Sequence, residues 1–377
     1  MYYLDNAATT PVREDAAKAA YEAMIGGWGN PSARYALGAE MTAKVKSWRQ
    51  DVAKALGCGE DELIFTSCGT ESDNWAIRAA VEINRRKGKH IITTAIEHSA
   101  VLEPCKALEK QGYEVTYLQP DRQGNITVEQ VAEALREDTV LVSMMLVNNE
   151  TGSVLPVAEV GKLLKRKKSA ALLHCDAVQG FLKVPCDPVA WGVDMMSLSA
   201  HKIGGPKGIG ALYIAETVRN PRPLLPGGGQ EMGIRSGTEA TAQIAGFAKA
   251  VELRMENHTE KLAKMAELKA YCLAKMLTIH TMVQVGRGEA PHILSLSLPG
   301  YPSANIVTDL GAKGICISAG SACHKGKTSH VVSALGLDKR TAAGVIRLSF
   351  GPETTAEDID AAYEALREHK EKRFAML

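Results

Sequence analysis

Residues 195–214, MMSLSAHKIGGPKGIGALYI, join two short apolar segments through a turn rich in glycine. The two segments, MMSLS (195–199) and GALYI (210–214), have the length and composition of buried strands. Five more segments of this kind alternate along the chain with longer amphipathic stretches: LIFT (63–66), HIITT (90–94), VTYL (115–118), VLVSMMLV (140–147) and AALLHC (170–175). Strands that alternate with helices and are apolar on both faces predict an α/β fold with a largely parallel sheet.

A lysine and a carboxylate follow two of these strands. Lys202 comes shortly after MMSLS, while Asp176 directly follows AALLHC and precedes Gln179. Sites in open α/β sheets form at the carboxyl ends of the strands, so we expect Lys202 and Asp176 to lie close together. Pyridoxal phosphate (PLP) requires such a pair, because a lysine forms its Schiff base and a carboxylate keeps its pyridine nitrogen protonated.

A single lysine in a loop is more often solvated than catalytic, so the neighbouring residues matter. Side chains and amides suited to a phosphate group occur beside Lys202 and at another strand end: Ser199, His201, Gly69 and Thr70. The last two belong to the turn TSCGTES (66–72). Its free amides either bind an anion or are those of an ordinary capped helix start. His98, after HIITT, is either a helix cap or a group that stacks on a cofactor ring and moves a proton.

Two residues nearer the carboxyl terminus are candidates for the substrate chemistry. Cys323 lies in ISAGSACHKGKTSH (317–330), where small residues and nearby cations favour a reactive thiolate, although most single cysteines are inert. Arg347 interrupts the apolar strand VIRLSFG (345–351). It is either a surface residue at the edge of the sheet or an inward residue whose planar guanidinium binds a substrate carboxylate.

The composition excludes several classes of protein. The 377 residues are 45% hydrophobic, enough for a large core and two domains. Lys plus Arg (44) nearly cancels Asp plus Glu (43), which disfavours nucleic acid and anionic lipid as partners. No apolar run approaches a membrane span, and no Cys/His cluster suggests a metal. The eight cysteines, without a CxxC pair, are expected to be free thiols in the cytosol.

The pattern changes near residue 258, where we expect a domain boundary. A long helix is predicted from there, followed by the strand ILSLSL (293–298). A last helix is predicted from Thr354, with Glu357 completing a capping box.

The ordered motifs of the chain resemble those of the cysteine desulfurases of the NifS/IscS type, within the class V aminotransferases. The resemblance runs nearly end to end, through YLDNAATTP (3–11), GNPS, TESDN, EH, VNNE, DAVQ, SAHKIGGPKGIGALY, GGGQE, RSGTE, SAGSAC and RLSFG. It implies PLP fold type I: a large, mostly parallel seven-stranded sheet domain with flanking helices (14–257) and a smaller α+β domain (1–13 and 258–377). It also implies a homodimer with active sites at the subunit boundary.

The resemblance implies a role for each matching residue. Lys202 would be the Schiff-base lysine, Asp176 the partner of the pyridine nitrogen and Gln179 a donor to the ring hydroxyl. Residues near the phosphate and the ring would be Gly69, Thr70, Ser199, His201, Asn149, Thr238 of the neighbouring subunit, and His98 stacked on the ring. Asn149, Arg347 and Asn30 would position the substrate, and Cys323 would be the nucleophile that receives sulfur.

The implied reaction converts L-cysteine to L-alanine and leaves a persulfide on Cys323 for an acceptor protein. That acceptor would be an iron–sulfur scaffold or a tRNA-thiolation enzyme. Other readings remain open at this stage. A selenocysteine lyase or another PLP-dependent C–S lyase could use Lys202 and Asp176 without Cys323, and a silent scaffold could keep only the fold. A nicotinamide-binding enzyme ranks last, because no GxGxxG follows the first strand.

Overall fold

The structure is a computed structural model that describes residues 1–319, 329–373 and 375. Its strands are β1 Tyr2–Tyr3, β2 Leu63–Thr66, β3 His90–Thr94, β4 Glu114–Leu118, β5 Thr139–Met145, β6 Leu172–Asp176, β7 Met195–Ser199, β8 Gly210–Ile214, β9 Val283–Gln284, β10 Ile293–Ser297, β11 Ile315–Cys316, β12 Ser318–Ala319 and β13 Val345–Ser349. Its α-helices are α1 Glu14–Gly26, α2 Ala36–Leu56, α3 Gly69–Ile83, α4 Ser99–Glu109, α5 Val128–Ala134, α6 Val157–Lys167, α7 Pro188–Trp191, α8 Thr241–Met255, α9 His258–Met276, α10 Ser303–Gly311, α11 His330–Ala334, α12 Lys339–Ala343 and α13 Ala356–Lys372.

Seven strands form the central sheet in the order β2-β8-β7-β6-β5-β3-β4. Only β8 runs antiparallel to its neighbours, β2 and β7. The other adjacent pairs are parallel, which confirms the predicted α/β fold. These strands correspond to the seven apolar segments found in the sequence: four have unchanged ends, and the ends of β4, β5 and β6 differ by at most two residues.

The sheet is apolar on both faces because it separates two layers of core. Along β8, Ala211 and Tyr213 enter one hydrophobic cluster, while Leu212 and Ile214 enter the other. Successive side chains of a strand point to opposite faces, so this alternation requires an apolar residue at every position. Helices therefore cover both faces, and the carboxyl edge of the parallel strands remains for polar side chains.

A second, antiparallel sheet has the order β12-β13-β10-β9. It shares a hydrophobic cluster with Leu4, with Met265 of α9 and with Leu366 of α13. We propose the division into 14–257 on one side and 1–13 with 258–377 on the other as two domains, since this cluster combines residues from both ends of the chain.

The capping box predicted for the last helix was placed one residue too early. Thr355 is the N-cap of α13: its hydroxyl accepts from the Asp358 amide, and its own amide donates to the Asp358 carboxylate. Thr354 does not cap the helix. It is buried, and its hydroxyl accepts a hydrogen bond from the Gly351 amide at 2.9 Å. The neighbouring pairs Thr354/Glu357 and Thr355/Asp358 both fit the capping pattern, so the sequence does not distinguish them.

The fold brings the amino-terminal segment to the carboxyl edge of the central sheet. Asp5 forms a parallel bridge with Ser349 of β13, and Thr10 donates to the carbonyl of His201 at 2.7 Å. Residues 5–10 therefore lie between the two sheets. Among the described residues, no helix is long and apolar enough to cross a membrane.

Candidate active site

A cavity of about 410 Å³ opens at the carboxyl edge of the central sheet. Ten of the residues predicted for the site line it: Gly69, Thr70, His98, Asn149, Asp176, Gln179, Ser199, His201, Lys202 and Arg347. They come from separate strand ends and from β13 of the second sheet. Their convergence follows from the parallel strand order, which places the ends of β5, β6 and β7 side by side.

Lys202 is the last residue of a short 3₁₀ turn that follows β7. Its Nζ donates to the carbonyl oxygens of Ala7 at 2.6 Å and Ala8 at 2.9 Å. Burial, and then the nearby Arg347 guanidinium, lower the Lys202 pKa to about 8. A sizeable fraction of this amine is therefore neutral near pH 7 to 8 and able to act as a nucleophile or a base.

Asp176 ends β6 and receives a hydrogen bond from the Val178 amide at Oδ1, 2.9 Å away. Burial, and then the charge of Asp73, raise the Asp176 pKa to about 7. A cation placed beside Asp176 would favour its ionised form, because opposite charges at short range stabilise each other strongly in a buried site. Asp176 is thus a buried acceptor suited to a protonated ring nitrogen.

Gln179 lies one turn beyond Asp176 and bridges several elements. Its Nε2 donates to the Ala7 carbonyl at 2.7 Å, while its Oε1 accepts from Lys183 at 3.3 Å and lies 3.4 Å from Nε2 of His292. These contacts assign the amide orientation, because lysine can only donate. The Nε2 side of Gln179 therefore remains the donor side.

The start of α3 gives one end of the cavity donors suited to an anion. No side chain caps this helix at Cys68, so the first amides of α3 keep donors without intrahelical partners. A Cβ on Gly69 would lie 2.6 Å from Cγ2 of Val178, so only glycine allows the helix start to approach this closely. Ser199 and His201 line the cavity with this helix start, and together these groups can bind a phosphate.

Two histidines of the cavity have a lowered pKa. His98 is the N-cap of α4, and its Nδ1 accepts from the Ala100 amide at 3.2 Å, which leaves the ring proton on Nε2. Burial is the main cause that lowers the His98 pKa. Burial, and then Lys202, lower the pKa of His201 to about 4, so this ring is neutral and pairs with the Thr9 hydroxyl at 3.1 Å.

Arg347 lies in the centre of β13 and points into the cavity rather than to a sheet edge. Its Nη1 donates to the Asn149 carbonyl and its Nη2 to Oδ1 of Asp5, each at 2.7 Å. The predicted inward guanidinium is therefore present, with part of its hydrogen-bonding capacity already used.

Two predicted residues, Asn30 and Thr238, do not line this cavity. Asn30 is exposed, and its side chain accepts from the Ser32 amide at 2.9 Å. Thr238 is also exposed and lines no part of the cavity within this chain. Cys323 lies outside the described residues. The roles expected for these three remain predictions.

The sequence reasoning missed three carboxyl groups and the amino-terminal segment. Asp73 and Glu97 are buried and Glu150 is half-buried. Burial raises the pKa of Asp73 and of Glu150 to about 7 and that of Glu97 well above its usual value. Glu97 and Glu150 directly adjoin the predicted residues His98 and Asn149. Their position next to predicted site residues could have identified these two glutamates from the sequence. The contact of Ala7 and Ala8 with Lys202 could not be predicted, because these residues are far apart in the sequence.

The residues of the cavity fit PLP. An amine, an acceptor for a protonated ring nitrogen and a helix start with uncapped amides match the aldehyde, the ring and the phosphate of that group. In the part of the chain that the structure describes, no cluster of three or more His, Cys, Asp or Glu side chains could hold a metal ion.

Comparisons with known proteins agree with this chemistry. The family model "Aminotransferase class-V" matches residues 2–362. The cysteine desulfurase IscS of Methanosarcina thermophila is 40% identical over 375 residues, which cover 98% of this chain and 92% of that protein.

Solved structures give the same answer. A NifS-like protein superposes with a TM-score of 0.91 at 36% identity, covering 97% of this chain and 98% of the other. SspA in complex with cysteine has a TM-score of 0.82 at 33% identity, covering 94% of this chain and 100% of the other. With a nearly full-length family match and relatives of this similarity, the chain belongs to the cysteine desulfurases of the IscS and NifS type, within the class V aminotransferases.

Proposed function

We propose that this chain binds PLP at Lys202 and removes sulfur from L-cysteine, releasing L-alanine. The observation that carries the proposal is the position of Lys202, Asp176 and Arg347 in one cavity. When bound, PLP supplies an electron sink for the pair left at the substrate when a bond to its Cα breaks. Asp176 would hold the ring nitrogen, Gln179 the ring hydroxyl, and Ser199, His201 and the start of α3 the phosphate.

Individual side chains of the protein carry out substrate binding, proton transfer and sulfur transfer. Arg347 binds the substrate carboxylate with the help of Asn149. His98, with its proton on Nε2, would face the ring of the cofactor. Lys202, with its pKa near 8, takes the proton from the substrate Cα. The Cys323 thiolate attacks the substrate sulfur, so that an S–S bond forms as the C–S bond breaks. The electron pair of the C–S bond stays with Cβ, which takes up a proton as L-alanine forms. The sulfur leaves as a persulfide on Cys323 for an acceptor protein.

A second copy of the chain belongs to the same proposal. Large apolar side chains are exposed on α1 and just after it, including Trp28 at 72% exposure. Thr238, expected to reach the phosphate of a neighbouring subunit, is exposed as well. Both observations support a homodimer whose sites lie at the subunit boundary. The seven cysteines that the structure describes are free thiols, which supports a reducing compartment such as the cytosol.

Product analysis tests the proposed function. Protein loaded with PLP and given L-cysteine plus a reductant should form L-alanine and sulfide in equal amounts. Cys323→Ala should lose nearly all sulfide release while keeping the yellow chromophore, with Cys316→Ala as the matched control. Undiminished sulfide release from Cys323→Ala would refute the desulfurase assignment and favour a lyase that acts without this cysteine.

A further inference from the structure

We propose that Asp5 is a positioning residue that orients Arg347 and limits its affinity for the substrate carboxylate. This inference rests on the proposed function, in which Arg347 binds the carboxylate of L-cysteine. Asp5 lies in the amino-terminal segment, far from Arg347 in sequence, and no spacing argument connects the two residues.

The contact between the two side chains is direct and largely shielded from solvent. Nη2 of Arg347 donates to Oδ1 of Asp5 at 2.7 Å, and the side chains are 8% and 18% exposed. Nη1 is held by the Asn149 carbonyl at 2.7 Å. Nε is buried and has no partner among the described residues. Two contacts therefore fix the plane of the guanidinium, and donors on it remain for a ligand.

Asp5 is itself held in place. Its Oδ2 is 3.4 Å from the Ser318 hydroxyl, which donates to it, and its backbone oxygen accepts from the Tyr3 hydroxyl at 3.2 Å and the Ala8 amide at 3.0 Å. Its bridge to Ser349 adds a further constraint. The backbone of Asp5 is therefore fixed, and Ser318 and Arg347 hold its carboxylate, so we expect the Asp5 carboxylate to stay beside the bound carboxylate of the substrate.

Asp5 consequently has two opposing effects on substrate binding. By accepting from Nη2 it holds the guanidinium in the orientation that a carboxylate needs, which favours binding. By its negative charge it repels that same carboxylate, which weakens binding. An asparagine keeps an acceptor oxygen and removes the charge, whereas an alanine removes both, so the two substitutions separate these effects.

The test compares Asp5→Asn and Asp5→Ala in the full-length PLP-loaded protein. For L-cysteine, we expect the KM of Asp5→Asn to fall roughly threefold to tenfold and that of Asp5→Ala to rise by a similar factor. Calorimetric binding of 3-mercaptopropionate, which has a carboxylate but no amine, should show the same opposite signs. Asp338→Asn, at the N-cap of α12, is the matched control and should change neither value.

Shifts of the two variants in the same direction, or no shift in either, would overturn the proposal. Unfolding midpoints of the variants show whether each is folded, and the calorimetric result does not depend on turnover. If the unaltered protein does not consume L-cysteine, the proposed function fails. The opposite signs for 3-mercaptopropionate would still establish what Asp5 does to Arg347.

Discussion

Lys202 Nζ donates a hydrogen bond of 2.6 Å to the carbonyl oxygen of Ala7, a residue 195 positions earlier in the chain. The same carbonyl accepts from Nε2 of Gln179 at 2.7 Å. One backbone oxygen of the amino-terminal segment thus orients both the amine and the amide of the site. Because burial lowers the Lys202 pKa to about 8, this amine is poised between its charged and neutral forms.

Replacement of Lys202 should abolish cofactor attachment. We expect Lys202→Ala to lose the yellow chromophore that borohydride fixes to the protein, and to lower desulfurase activity by roughly a thousandfold or more. Absorbance after borohydride treatment, with peptide mapping, measures the attachment. Lys207→Ala changes an exposed lysine of the same loop and should retain both properties. Retention of a borohydride-fixed chromophore in Lys202→Ala would show that another lysine carries the cofactor.

Gly69 should be required for the phosphate end of the cavity. A Cβ at this position would lie 2.6 Å from Cγ2 of Val178, so Gly69→Ala must displace the start of α3. We expect PLP to bind about tenfold more weakly and the protein to lose about 1–3 kcal/mol of unfolding free energy. Gly311→Ala, where no atom lies within 4 Å of the added carbon, is the control. Equal PLP affinity in both variants would contradict the role of Gly69 at the phosphate end of the cavity.

The buried carboxyl groups should differ in importance. Asp176→Asn removes the charge that would hold the ring nitrogen, and we expect kcat to fall on the order of a hundredfold. Asp73 is also buried, and burial raises its pKa to about 7, so it keeps its proton below about pH 7. Asp73→Asn keeps a neutral side chain and should change kcat less than about threefold. Similar losses in both variants would show that Asp73 also acts as an ionised group.

The raised pKa of Asp73 should also make the stability of the cofactor-free protein depend on pH. Its folded pKa of about 7 lies above its usual value of 3.8, so the folded state keeps a proton that the unfolded chain has lost. This contribution to stability is complete below pH 3.8 and is lost as the pH rises to 7. Asp73→Asn should therefore gain stability over the unaltered protein between pH 5 and pH 7, reaching on the order of 2 kcal/mol. Urea unfolding across this range measures it, and a difference independent of pH would contradict the prediction.

The sequence predicted the central sheet well because each of its strands is apolar on both faces. LIFT, HIITT and GALYI became strands β2, β3 and β8 with unchanged ends. Residues at strand ends could be predicted for the same reason, since parallel order places Asp176 and Lys202 at one edge.

Contacts between distant segments could not be predicted in the same way. Asp5 meets Arg347 only because the amino-terminal segment pairs with β13, and no periodicity encodes that pairing. The buried state of Asp73 depended on the helix packing around it. In the last helix, two overlapping capping patterns differed by one residue, and side-chain geometry selected Thr355.

The measurement that tests the central claim most directly is peptide-resolved mass spectrometry after a short exposure of the PLP-loaded protein to L-cysteine. The account predicts one added sulfur atom on the peptide that contains Cys323, and its absence in Lys202→Ala. Sulfur distributed evenly over all eight cysteines, or equal labelling of Cys323 without Lys202, would contradict it.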